Sequence, residues 1–201
     1  MIDYRIIAHP SRKGYVENIL SALGRDEDII VWDDREHGGD AMYTARKAWQ
    51  LPIPEGCTHR LVFNDDVELC NGFCEIAEQV ASRHTEHLVS FFHTEKYPQN
   101  ERYVLTERLY GAGMMLPAKL ISGCWDFIDH LPERCLWCRG EALSILKHDT
   151  DCMAVWATDN QIPIINTVPS LVQHLGDISL VGITKKRVSP DYTKTPPVNG
   201  W

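Results

Sequence analysis

Short apolar runs alternate with apolar positions at helical spacing over the first two-thirds of the chain. Tyr4 to Ala8 is a β-rich run, closed by His9-Pro10-Ser11. Within Tyr15 to Leu23, the residues Val16, Ile19, Leu20 and Leu23 share one helical face, and Gly24 is a fitting stop. Asp28 to Trp32 predicts a second strand ending at Asp33-Asp34, and Ala41 to Trp49 a short helix. His59 to Phe63 predicts a third strand that runs into Asn64-Asp65-Asp66. A helix over Phe73 to Ser82 then turns Ile76, Ala77 and Val80 inward, and His87 to Phe92 predicts a fourth strand. This βαβαβαβ order implies an α/β fold: a mostly parallel twisted sheet with helices on both faces. Ligands of such sheets bind beyond the carboxyl ends of the strands. The three polar strand ends are therefore expected to line one crevice.

The remainder is less regular. Tyr103 to Leu105, Ala112 to Leu116 and Ile162 to Asn166 read as strands, and Lys119 to Ile128 and Arg139 to Ala157 contain helical stretches. From Val181 the chain turns polar and proline-rich, which predicts a tail or lid and not a core element. The expected organisation is one domain over 1–182, divided into a nucleotide-binding half (1–92) and an acceptor half (93–182), with a tail or lid over 183–201.

Length and charge narrow the class. The 201 residues suffice for one domain with a real core. The net charge of -8 argues against a broad basic surface for nucleic acid, though not against a local groove. No apolar run reaches the roughly 18 residues that span a bilayer. The opening Met1-Ile2-Asp3-Tyr4-Arg5 has no signal-peptide pattern and reads as the first strand, so a cytoplasmic protein with reduced thiols is expected. Cys135-Leu-Trp-Cys138 has zinc-knuckle spacing without a second pair, and only folding can recruit Cys124 or Cys152 to it.

The chemistry concentrates at Asn64-Asp65-Asp66. Adjacent carboxylates at a strand end repel unless a cation, a donor or solvent compensates. Mg²⁺ and Mn²⁺ favour oxygen ligands and accept a diphosphate as co-ligand. A plain polar turn after a strand produces the same pair of residues.

Val62-Phe63-Asn64-Asp65-Asp66-Val67 resembles the DxD-type motif of GT-A glycosyltransferases, here as Asn-Asp-Asp. Tyr110-Gly111-Ala112-Gly113-Met114-Met115-Leu116 looks like the strand after the donor site in those enzymes. Pro169-Ser170-Leu171-Val172-Gln173-His174, with Gly176 and Ser179, is similar to a signature of small phage-encoded and lipooligosaccharide-type glycosyltransferases. The resemblance extends over roughly Tyr4 to Gly182. It implies a GT-A, Rossmann-like sheet and metal-dependent transfer of a sugar from a nucleotide sugar, expected to be a UDP-sugar, to a hydroxyl acceptor. It makes Asp66 and His174 the expected ligands of Mn²⁺ or Mg²⁺, with Asp65 toward the donor. Acidic residues ahead of a late helix supply the base that an inverting enzyme needs, Asp151 first and Asp149 second. The same residues also suit a helix N-terminus, and retention or inversion stays open.

Further candidates surround the donor. His9, Ser11 and Arg12 follow the first strand, Asp33 and Asp34 the second, Arg46 precedes the third, and Gly113 opens a later one. Arginines suit a diphosphate, but most are solvated surface charges. Lys185-Lys186-Arg187 is a basic run in the tail, and Trp125, Trp137, Trp156 and Trp201 are stacking candidates. Acceptors compatible with a phage-like relative are a hydroxymethylated DNA base, presented flipped, a surface glycan or a small molecule. A nucleotidyltransferase shares this layout, but His9-Pro10-Ser11-Arg12-Lys13-Gly14 lacks the repeated glycines of its phosphate loop.

Overall fold

The computed structural model describes residues 1–33, 41–98, 100–131, 148–175 and 188–201. Among these residues nine strands form: β1 (Ile2–Ala8), β2 (Ile30–Trp32), β3 (His59–Asn64), β4 (Val67–Leu69), β5 (Leu88–Ser90), β6 (Tyr103–Thr106), β7 (Gly113–Pro117), β8 (Ile164–Thr167) and β9 (Val172–His174). The helices of the same residues are α1 (Lys13–Leu23), α2 (Ala41–Gln50), α3 (Phe73–Arg83), α4 (Ala118–Asp129) and α5 (Asp149–Asp159). Seven strands form one sheet in the order β2-β1-β3-β7-β5-β8-β6. β1, β2, β3, β5 and β8 run one way, and only β7 and β6 are reversed. The chain is thus a single α/β domain with a mostly parallel sheet, as its alternating pattern predicts.

Helices cover both faces because the central strands are apolar on both sides. Ile2, Tyr4, Ile6, Leu61, Phe63 and Met115 face α1 and α3. Val62, Met114 and Leu116 face α2, α4 and α5. Local signals fix the helix ends. Val16, Ile19 and Leu23 are the buried stripe of α1, and Gly24 closes it at φ 60 with its N–H on Leu20 and Ser21 carbonyls. At that left-handed position a side chain is strained, which is why glycine stops the helix. No helix of the described residues is long and apolar enough to cross a membrane.

The closing segment corrects an expectation. Trp201 is fully buried in the α1/α3 core, its indole N–H donates to Pro197 O at 2.7 Å, and Arg102 lies over its ring at 5.0 Å. It is a core element and not a lid, since an indole is too large an apolar surface to leave in water when a partner is near. Trp125 and Trp156 are buried in the opposite core, so none of these three is a stacking platform. Trp137, Cys135, Cys138 and Lys185-Lys186-Arg187 lie outside the described residues. Cys124 and Cys152 are buried between α4 and α5, where burial raises the Cys124 thiol pKa.

The end of α3 carries a histidine pair. His84 packs edge-on to Tyr103 and His87, with centroids at 4.3 and 4.9 Å, and among the described residues neither of its ring nitrogens has a hydrogen-bond partner. Burial, with His87 and Arg83 beside it, lowers the His84 pKa to about 4. An unfolded histidine titrates near 6.5, so folding favours the neutral ring. The stability it contributes is full above about pH 6.5 and lost as the pH falls towards 4. Burial moves His59 and His87 the same way. His84→Phe is expected to shrink the drop in urea midpoint between about pH 7 and about pH 4.5. A drop as large as in the parent chain removes His84 from this response.

Candidate active site

The carboxyl ends of β1, β2 and β3 meet at one edge, and the polar residues that follow them converge there. β3 delivers Asp65 and Asp66 into burial at 5% and 4% exposure. After β1 the chain enters a short 3-10 turn over Pro10–Arg12, with Pro10 fixing its start and the His9 ring accepting from Ser11 N–H. That turn sets two donors on the carboxylates. His9 N–H donates to Asp65 Oδ2 at 2.7 Å. Arg12 Nη1 bridges Asp65 Oδ1 at 2.8 Å and Asp66 Oδ2 at 2.7 Å. Two adjacent buried carboxylates are tolerable because a guanidinium spans them. Burial raises the Asp65 pKa against the pull of His9 N–H and Arg12. Burial alone would lower Arg12, but Asp65 and Asp66 reverse the sign and hold it protonated.

His174 joins this cluster from far along the chain. β4 and β9 form a two-stranded antiparallel ribbon in which Val67 pairs with His174. Leu175 N–H closes it on Asp66 O at 2.7 Å. His174 Nε2 thereby lies 3.5 Å from Asp66 Oδ1, while Arg12 Nη1 holds Oδ2 of the same carboxylate. Phe92 packs against His174 on one side and Tyr110 on the other, with centroids at 6.2 and 6.0 Å.

The other candidates divide. Asp33 stands at the same edge, with its N–H on Ala8 O and its carboxylate accepting from Thr44 Oγ1 at 3.0 Å. Ser11 is exposed and its hydroxyl meets His9 Nδ1 at 2.7 Å. Asp34 lies outside the described residues. Arg46 pairs with Asp129 and lies over the Trp125 ring at 5.7 Å, both on α4. Gly113 is buried in β7, where a Cβ would meet Phe63 and Val172 at 3.3 Å, so glycine serves close packing there.

The start of α5 packs against the segment that leads into β7. Thr150 lies under Gly111, where a Cβ would stand 3.0 Å from the Thr150 methyl. Asp151 is exposed in the first turn. Asp149 faces the helix layer beside Trp49, and burial raises its pKa against the Thr150 N–H and the Trp49 indole. Of the two, Asp151 is the more exposed.

The residues present offer a cation a partial shell. Adjacent ligands of a six-coordinate Mg²⁺ with bonds of about 2.1 Å stand about 3 Å apart. Asp66 Oδ1 and His174 Nε2 are close to that separation. Among the described residues no group of three His, Cys, Asp or Glu side chains is disposed to hold a metal. The pair therefore suits a cation completed by substrate oxygens and water, and not a resident structural ion.

Sequence reading missed the ribbon partners of this cluster. Phe92 carries no chemical signal in an apolar run, and Gln173, Ser189 and Asp191, described below, are ordinary polar residues until the fold joins them.

No family model matches the chain, and no curated protein matches it. Among solved structures, the chain is similar to the inositol-1-phosphate CTP transferase from T. maritima. The TM-score is 0.40, with 9% identity over 84% of this chain and 71% of that chain. A likeness of that strength carries no argument about this chain's chemistry.

Proposed function

We propose that this chain is a cation-assisted glycosyltransferase that takes its sugar from a nucleoside diphosphate sugar. The observation that supports it best is the convergence of His174 on Asp66, beside Arg12, at the carboxyl edge of the sheet. The motif resemblance makes Asp66 and His174 partners, and they lie in different halves of the sequence. Asp66 Oδ1 and His174 Nε2 would hold the cation. When bound, a divalent cation supplies positive charge to the diphosphate leaving group.

The chain's own residues have separable tasks. Arg12 presents a planar guanidinium beside that position, suited to paired phosphate oxygens. Asp65, held by His9 N–H and Arg12, keeps the turn after β1 in place. Asp33 and Ser11 lie on the β1/β2 side and are the residues that would meet the ribose or base. Asp151, exposed at the start of α5, is the proposed base that takes the acceptor hydroxyl's proton. The acceptor class is a hydroxyl, and the sequence resemblance is compatible with a hydroxymethylated DNA base, a surface glycan or a small molecule.

Thermal shift with UDP, a UDP-sugar and a nucleoside triphosphate, each with and without Mn²⁺, tests the reading. UDP at about a hundred times its Kd stabilises by about 2.7 kcal/mol, a Tm rise of about 5–10 °C for a chain of this size. That rise is expected only with Mn²⁺ present, and Asp66→Ala is expected to lose it. Selective stabilisation by the triphosphate, or an unchanged response in Asp66→Ala, overturns the reading.

A further inference from the structure

Residues 188–201 grip the ribbon that carries Asp66 and His174 from both of its strands. On the β9 side, Gln173 Oε1 accepts from Ser189 N–H at 2.9 Å and from His174 N–H at 3.2 Å. Asp191 Oδ1 is the hub next to it. It accepts from Ser170 N–H at 3.1 Å and Ser189 Oγ at 2.8 Å, and His93 Nε2 lies 3.3 Å away. Ser189 Oγ also reaches Ser170 Oγ at 2.8 Å, and Ser170 Oγ accepts from His93 N–H. Ser170, Ser189 and His93 are all buried. Burial would raise the Asp191 carboxyl, but His93, Ser170 N–H and Ser189 hold it at about 2.

The β4 side is held by the same segment. Lys194 Nζ donates to Glu68 Oε1 and to Leu69 O, both at 2.9 Å. Asn71 N–H donates to Lys194 O at 2.7 Å, and Asn71 Nδ2 to Thr195 Oγ1 at 3.2 Å. Beyond them, Gln79 and Arg83 of α3 donate to Val198 O and Gly200 O, and Trp201 is sunk in the core. A three-residue ribbon has little stability of its own. Its register nevertheless sets the Asp66–His174 separation, because Val67 pairs with His174 and Leu175 N–H bonds Asp66 O.

We propose that Asp191 is a positioning residue for the diphosphate–cation site: through Ser170, Ser189 and Gln173 it locks β9 against β4, and so holds His174 at ligand separation from Asp66. This rests on the donor reading above and assigns the closing segment a part in it. A carboxylate suits the task because one oxygen accepts several donors at once, and charge-assisted bonds are the stronger ones. Asp191 itself touches neither cation nor donor.

The test uses the full chain as wild type, Asp191→Ala and Asp191→Asn. Amide hydrogen exchange reads the ribbon, and titration with UDP plus Mn²⁺ reads the site. In Asp191→Ala, the amides of His174 and Leu175 are expected to exchange about tenfold faster or more, with those of β1 and β3 unchanged. UDP–Mn²⁺ binding is expected to weaken by about tenfold or more in the same variant. Asp191→Asn keeps an acceptor oxygen for Ser170 N–H and Ser189 Oγ, and is expected to recover most of both. Should Asp191→Ala not fold, Ser189→Ala removes the hydroxyl that Asp191 Oδ1 accepts from and serves the same comparison. Ribbon amides that exchange as in wild type, or UDP–Mn²⁺ binding unchanged by the substitution, overturn the proposal. A wild-type chain that binds no UDP–Mn²⁺ overturns the donor reading instead, and the exchange rates then decide alone whether Asp191 holds the ribbon.

Discussion

Arg12→Met is expected to cost about 3–5 kcal/mol of folding stability, and Mn²⁺ is expected to restore part of it. Arg12 Nη1 is shared by two carboxylates whose side chains are only 7% and 6% exposed. Methionine preserves most of the apolar stem and removes the charge. Asp65 keeps the His9 N–H, so it is not abandoned entirely, but Asp66 loses its cation. Two adjacent buried carboxylates without a shared cation then oppose folding, through desolvation and mutual repulsion. Urea unfolding measures the loss. A cation that seats on Asp66 and His174 binds the native chain alone, so above its Kd it raises the midpoint with the logarithm of its concentration. Wild-type stability in Arg12→Met contradicts the role given to the guanidinium. A loss that Mn²⁺ and Mg²⁺ both fail to reduce argues against a cation site at Asp66.

Arg60→Met is the other large effect, at the opposite end of the sheet, and about 3–5 kcal/mol is expected again. Arg60 is fully buried in β3. Its Nε and Nη2 donate to Asp3 Oδ2, Nη1 to Trp49 O at 2.6 Å and Leu51 O at 2.7 Å, and Nη2 to Pro52 O at 3.0 Å. One side chain thus ties β1 to β3 and folds the α2–β3 connection down on both. Burial lowers the Arg60 pKa against the Asp3 hydrogen bond and charge, which marks how much the pair depends on each other. Asp3 retains Arg5 after the substitution, at 2.8 Å, so part of its charge stays matched. The three carbonyls do not recover so readily, and each orphaned buried acceptor costs about 1–3 kcal/mol. The double variant Asp3→Leu with Arg60→Met separates the two contributions. Recovery towards wild type assigns the loss to the stranded carboxylate, and no recovery assigns it to the carbonyls. A single variant as stable as the parent removes Arg60 from the supports of the fold.

These two arginines also mark how far sequence reading reaches. Arg60 sits within an apolar strand pattern, and a charge in such a run is a legible sign of a buried partner. Nothing local says that the partner is Asp3. Arg46 and Arg12 are equally plausible as phosphate ligands in the sequence, yet α4 draws Arg46 to Asp129 while the turn after β1 carries Arg12 to Asp65 and Asp66. An ion pair depends on which surfaces the topology apposes, and residue type alone cannot encode that.

The sequence by itself determined the alternation of strands and helices, the faces they bury and the polar residues that close the first three strands. Val16, Ile19 and Leu23 share a face whatever α1 packs on, Gly24 ends that helix by its own backbone freedom, and Asp65-Asp66 falls at a strand end wherever that strand lies. Tertiary structure alone decided direction, order and register. A period of two reads the same both ways along a strand, so the apolar run of β7 gave no sign that it runs against β3 and β5 between them. β4 and β9 are three residues each, too short to carry a pattern, yet their pairing brings His174 to Asp66. The proline-rich end read as a tail because its residues are polar on average. A single indole, Trp201, outweighed that average once a core lay within its reach.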